Sequence, residues 1–114
     1  MTPAEVLRGA AALQSAPGAW RQHGWARDAD GRWVSPTNPA AVCWCVRGAI
    51  AHVVGSMMPE HIGPAQDVLR ASLRRNGLAQ WNDFRKRRQE EVVAALLAAA
   101  EMAERVVPRW SAAR

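Results

Sequence analysis

From Pro39 to Val54 the chain runs through sixteen residues with a single charge, Arg47. Asn38 stands before the run and Gly55 after it. Asparagine is a good helix N-cap, proline suits the first helical turn, and glycine closes helices in the left-handed conformation. The spacing predicts one helix over Pro39–Val54. A helix apolar nearly all round has to be covered on several sides. The rest of the chain is therefore expected to pack around it, and Gly48 to let a neighbour come close.

Thr2-Pro3-Ala4-Glu5 reads as a capping box opening a first helix. Its apolar stripe is Val6, Leu7, Ala10 and Leu13/Gln14, and Ser15 to Gly18 end it. Trp25-Ala26-Arg27 and Arg32-Trp33-Val34 flank Asp28-Ala29-Asp30-Gly31, the signal of a short hairpin. Ser56 to Gly63 reads as a loop. Pro64 is expected to start a third helix, which Asn76-Gly77 closes. Leu78 to Trp81 reads as a linker or short turn that pins Trp81 in the core. Asn82 and Asp83 can each cap. The last helix is expected from about Arg87 to Val107, with Val92, Val93, Leu96, Leu97, Ala100, Ala103 and Val107 on its buried side. Pro108 is expected to stop it, with Trp110 free to fold back.

The resulting expectation is a mainly α protein with a small β-hairpin. About four helices pack around the Pro39–Val54 helix. The 114 residues make one small globular domain, with 110–114 frayed. That length excludes a multidomain enzyme. Ordinary proportions of apolar (49%) and charged (22%) residues exclude a disordered tail.

The net charge is +5, and it is not spread evenly. Between residues 70 and 88 stand Arg70, Arg74, Arg75, Arg85, Lys86, Arg87 and Arg88 against one acid, Asp83. That window carries +6 and the remainder −1. A focused positive patch attracts phosphates or acidic proteins. Arg85-Lys86-Arg87-Arg88 also precedes a predicted helix N-terminus, where cations oppose the dipole. Lysine supplies one of the fifteen cations, a bias that a GC-rich coding genome gives without selection for bidentate recognition.

Two cysteines two residues apart, Cys43 and Cys45, make a poor structural disulfide and suit a reducing cytoplasm. The longest apolar run, Val92–Ala100, is about half a membrane span. No signal-peptide pattern opens the chain. The expectation is a soluble cytoplasmic protein with no membrane partner.

Four landmarks follow one another in order. They are Trp20; Ala26-Arg27-Asp28-Ala29-Asp30-Gly31; Ala40-Ala41-Val42-Cys43-Trp44-Cys45 with Gly48-Ala49; and Trp81-Asn82-Asp83 before Glu91-Val92. In these the chain resembles the small bacterial and phage domain-of-unknown-function family 6197, over about Val6 to Ala100. The Cys-Trp-Cys-x-x-Gly-Ala run and the Trp-Asn-Asp triplet are its most specific pieces. After Asp83 the chain departs from the family pattern, with Phe84-Arg85-Lys86-Arg87-Arg88 where the resemblance implies a Gly/Pro turn and a Thr cap. The resemblance implies no activity. It implies a phage or mobile-element setting.

As a metal site the cysteines fail on a helix, because residues two apart point about 200° apart. No metal and no cofactor is expected. As nucleophiles, Cys43 or Cys45 would need a histidine, a cation or a helix N-terminus to lower the thiol pKa. Asp28 and Asp30 are natural turn residues. Asn82 is expected to form a buried polar link between hairpin and helix, with Asp83 and Asp30 beneath Trp81. Six tryptophans and one phenylalanine supply the large core side chains, although an exposed Trp25 or Trp33 would be a contact anchor.

These readings converge on a small non-enzymatic binding module. Its candidate contact surface is Arg70, Arg74, Arg75, Arg85, Lys86, Arg87 and Arg88, and its partner is DNA, RNA or an acidic protein. One alternative is an inhibitor or adaptor that binds a host protein without nucleic acid. The other is a small hydrolase or transferase using Cys43 or Asp83.

Overall fold

The computed structural model describes residues 1–112, and side chains through Arg105. Helix α1 spans Pro3–Gln14. Its capping box is complete: the Thr2 hydroxyl accepts the Glu5 N–H at 3.1 Å, and the Glu5 carboxylate accepts the Thr2 N–H at 2.8 Å. Strands β1 (Ala26–Asp28) and β2 (Ala41–Trp44) follow. Then come α2 (Val46–Val54), α3 (Pro59–Leu73), α4 (Leu78–Asn82) and α5 (Gln89–Ala112). The chain is mainly helical, with one small antiparallel pair of strands.

The Pro39–Val54 segment is not one helix. Its first part is β2, and its helix starts only at Val46 with Cys45 as N-cap. The Asn38 side chain accepts the Ala40 N–H at 2.8 Å and its carbonyl accepts the Ala41 N–H at 3.0 Å, which closes a turn rather than a helix start. Trp44, Cys43 and Ala41 then pair with β1 in the register Ala26↔Trp44, Arg27↔Cys43 and Asp28↔Ala41, and a register shift leaves Val42 without a partner. Val42 faces outward and is about half exposed yet apolar, so the polar–apolar alternation that would betray a strand is missing from the sequence. The helical-angle argument against Cys43 and Cys45 lapses with this, because extended residues two apart share a face.

The expected hairpin forms only in part. The turn itself forms, with the Asp28 carboxylate accepting the N–H groups of Asp30 and Arg32, each at 2.9 Å. Arg32–Val34 keeps a single bridge, Arg27↔Trp33, with the Asp28 N–H on the Arg32 carbonyl at 3.0 Å and the Val34 N–H on the Ala26 carbonyl at 3.2 Å, and the longer pairing of β1 is with β2.

Three helix boundaries also differ. Helix α3 starts at Pro59, five residues before the expected Pro64, which lies inside it. Two prolines offered two starts, and the earlier one has its φ preset for the first turn equally well. The segment read as a linker is the short helix α4. Helix α5 runs through Pro108 to Ala112, although a proline removes one N–H from the ladder and crowds the carbonyl of the preceding turn. The expectations for the Val107 and Trp110 side chains and for residues 113–114 lie outside the described residues.

Helix α1 lies along α5, α3 also packs against α5, and α2 sits against α1 and α3. Leu7, Val46, Ile50, Leu69, Val92 and Leu96 are fully buried where these helices meet. Thus α2 does occupy the centre, in a nine-residue form. Gly48 permits this: a Cβ there would stand 2.1 Å from the Trp25 carbonyl oxygen. No helix among the described residues is long and apolar enough to cross a membrane.

Candidate functional site

The N-terminus of α2 meets the C-terminus of α4, and Asn82 is the joint. Its side chain is buried, 1% exposed. The carbonyl oxygen accepts Trp20 Nε1 at 2.8 Å and the Val46 N–H at 2.9 Å. The amide donates to the Arg21 carbonyl at 3.1 Å and to Asp83 Oδ1 at 3.0 Å. Val46 N–H is a first-turn donor with no partner inside its helix, so Asn82 supplies a cap from 36 positions away. Asp83 in turn accepts the His23 N–H at 2.8 Å, which holds His23 in a left-handed conformation, φ 62°. Asp30 takes no part in this link. It lies exposed in the β1 turn, where Asp28 has fixed its backbone.

Beside this joint opens a cleft of about 190 Å³, lined by Gly24, Trp25, Cys45, Arg47, Asn82 and Asp83. The Arg47 guanidinium lies over the Trp25 ring, 4.3 Å from its centroid. Arg47 Nε is buried without a hydrogen-bond partner. Cys45 Sγ accepts the Gly48 N–H at 3.2 Å, as an N-cap side chain does. Burial nevertheless pushes the Cys45 thiol up, and the Asp83 charge adds to this. The Gly48 and Arg47 N–H groups and the Arg47 charge pull the other way without overcoming burial. The resting group is therefore the thiol and not the thiolate that nucleophilic attack requires. The cleft is also smaller than the roughly 300–1,000 Å³ of ordinary small-molecule sites. Cys43 is buried in β2.

A wider groove of about 500 Å³ includes Ser56 and His61, with Ser56 Oγ 2.8 Å from His61 Nδ1. The same hydroxyl accepts the Met58 N–H at 3.0 Å, so it organises the turn before α3. No carboxylate bonds to His61 among the described residues. Nor does any group of three metal-binding side chains assemble among them.

The predicted basic residues separate into three kinds. Arg70 is engaged with Asp67 at 3.1 Å and with the Asn76 carbonyl at 2.9 Å. Arg87 and Arg88 face Glu91 and Glu90, which also stabilise the start of α5. Arg74, Arg75, Arg85 and Lys86 are exposed, with no acidic partner among the described residues. Arg74 and Arg75 follow the C-terminus of α3, a position that the helix dipole favours for cations. Arg85 and Lys86 form the tip of a turn closed by the Arg87 N–H on the Phe84 carbonyl at 2.8 Å. These two pairs flank α4, whose five residues rise about 7.5 Å along the axis.

The family of unknown function DUF6197 matches residues 1–102. The chain belongs to this family. No curated protein and no solved structure matches it. The DUF6197 match runs from α1 into α5, so it takes in the cleft and both exposed cation pairs. The two segments that carry the resemblance, around Cys45 and around Asn82, are the two that meet at the cleft.

Sequence reasoning missed three participants in this DUF6197 chain. Arg47 was visible only as the lone charge of an apolar run. Gln22 donates to the carbonyls of Asn82 and Phe84, at 3.1 and 2.7 Å, and nothing in its neighbourhood signals that. Gln14 is fully buried and donates to the carbonyls of Ala19 and Trp44. Its place on the apolar stripe of α1, next to Leu13, was the only hint.

Proposed function

We propose that this chain is a small non-enzymatic binding module that docks an anionic partner on the cations flanking α4. The carrying observation is the Arg85-Lys86 turn. Its base is hydrogen-bonded, its two side chains are exposed, and no acid neutralises them among the described residues. They also stand ahead of the α5 N-terminus, where the dipole does not favour them. Their presence is thus better accounted for by a partner than by the fold. The narrow cleft and the protonated Cys45 speak against the hydrolase or transferase reading. Two free cysteines suit a reducing cytoplasm, and the family resemblance suits a phage or mobile-element accessory protein.

Retention on a heparin column tests this. The variant Arg74→Ala/Arg85→Ala/Lys86→Ala should elute at clearly lower salt than the parent. A control with Arg21, Arg32 and Arg105 changed to alanine should move much less. Equal shifts would reduce the patch to net charge and sink the proposal.

One observation favours an adaptor or inhibitor as a second reading. Trp33 is 56% exposed yet fixed, its ring 3.7 Å from the Arg27 guanidinium and packed over Gly24. Rigid exposed tryptophans are common interface anchors. A stoichiometric complex that survives nuclease treatment and is lost in Trp33→Ala would favour it.

A further inference from the structure

Phe84 is a large apolar ring left 54% exposed between Asp83 and the Arg85-Lys86 tip. Its backbone cannot easily withdraw. The Phe84 N–H donates to the Trp81 carbonyl at 3.4 Å, and its carbonyl accepts from the Arg87 N–H at 2.8 Å and from Gln22 Nε2 at 2.7 Å. Beneath the ring lies the Arg87 guanidinium, 5.4 Å from the Phe84 centroid and 4.1 Å from that of Trp81. Arg87 is itself fixed, since its Nε donates to the Trp81 carbonyl at 3.0 Å. Trp81 is core. The result is a column of indole, guanidinium and phenyl that leads from the interior to the surface. Its outermost member is an aromatic platform beside two unpaired cations.

We infer that this turn is a binding surface for single-stranded nucleic acid. Phe84 stacks one base, and Arg85, Lys86, Arg74 and Arg75 contact phosphates. The inference rests on the anionic-docking reading above and adds the class of partner. An acidic peptide would satisfy the cations but has no flat face for the ring. A duplex keeps its bases stacked on each other and presents phosphates alone to a short turn. A single strand offers both charge and free base faces, the combination used by sequence-tolerant strand binders. Because platform and turn are already ordered by hydrogen bonds, little freedom is lost on binding.

The experiment is fluorescence anisotropy on the full chain with three labelled probes: an oligothymidine, a duplex of the same length, and a polyglutamate peptide. The oligothymidine should bind most tightly. With four phosphate contacts its affinity should fall about fifty-fold between about 50 and 200 mM salt. Phe84→Leu should weaken it by about 5- to 150-fold, the range measured for losing one stacked base, and leave polyglutamate binding unchanged. Phe84→Trp should keep the affinity. The ring is exposed, so both variants should melt like the parent. Equal oligothymidine affinity in Phe84→Leu, or a duplex bound as tightly as the single strand, would overturn the inference. Polyglutamate bound in place of oligothymidine would overturn it and leave anionic docking intact. No binding of any probe at low salt would overturn both.

Discussion

The side-chain carbonyl of Asn82 accepts the Val46 N–H at 2.9 Å, so a residue at the end of α4 caps a helix that starts 36 positions earlier. The same oxygen takes the Trp20 indole N–H, and the amide holds the Arg21 carbonyl. One buried side chain therefore ties the Trp20 segment, the β2–α2 junction and α4 together. Such a network specifies a unique arrangement only while every member is satisfied.

Replacing Asn82 by alanine should thus be among the most damaging single changes. It strands the Val46 N–H and the Trp20 indole N–H, at about 1–3 kcal/mol for each buried group left unpaired. A loss near 3 kcal/mol should lower the melting temperature by about 12 °C, at roughly 4 °C per kcal/mol for a domain of this size. Asn82→Asp keeps the acceptor but loses both donated bonds and places a carboxylate against Asp83, so it should not rescue. Thermal melts by circular dichroism decide this, and a drop under about 1 kcal/mol would show that the joint is not structural.

The legible part of this fold was the part written in local signals. Thr2 and Glu5 announce α1 within four residues, and Asp28 with Gly31 announces its turn. The mainly helical class follows from the same periodicities. Illegible were choices settled by distant partners. Ala41–Trp44 is extended because Ala26–Asp28 pairs with it, a contact between segments more than a dozen residues apart. Cys45 becomes an N-cap because α2 then begins under Asn82. At the surface, the run Arg85 to Arg88 was readable as charge. Which of its members lack a partner depends on Glu90 and Glu91 turning back at the start of α5, and on Arg87 lying over Trp81.

Two glycines give different expectations. A Cβ at Gly48 would lie 2.1 Å from a backbone oxygen that cannot swing away, so Gly48→Ala should cost about 1–3 kcal/mol. Gly63 sits inside α3 with nothing within 4 Å of an added Cβ apart from its chain neighbours, of which Pro64 is one. A Cβ before proline is crowded in the helical conformation, which offsets the gain in helix propensity, so Gly63→Ala should stay within about 0.5 kcal/mol of the parent. Urea titrations of both variants check the pair. A neutral Gly48→Ala would mean that α2 and the Trp25 strand are less closely packed than the structure has them.

The capping box makes α1 sensitive to acid. Backbone and side-chain hydrogen bonds from Thr2 hold the Glu5 carboxyl below its ordinary value. A lowered folded pKa means stability that is present above the unfolded value, about 4.3, and lost as pH falls through the folded one. The melting temperature should therefore drop more steeply from about pH 5 to about pH 3 in the parent than in Glu5→Gln. Parallel slopes would show that the box contributes nothing.

Cys45 offers the sharpest check on the electrostatics of the cleft. Burial raises its pKa, so at neutral pH it should react with iodoacetamide more slowly than free cysteine, and its rate should keep climbing beyond the ordinary thiol range near 8.5. Two substitutions separate the contributions by sign. Asp83→Asn removes a charge that disfavours the thiolate and keeps an acceptor for the His23 N–H, so it should speed alkylation. Arg47→Ala removes a charge that favours the thiolate, which should slow it, unless losing the stack on Trp25 opens the cleft. The pH–rate profile distinguishes that case, since a change in thiol pKa moves its midpoint and opening of the cleft raises its high-pH plateau. Mass spectrometry of the labelled peptides gives the rates for Cys43 and Cys45 separately. A rapid burst at Cys45 near pH 7 would mean that the helix N-terminus and Arg47 outweigh burial, and would return the cleft to consideration as a nucleophilic site.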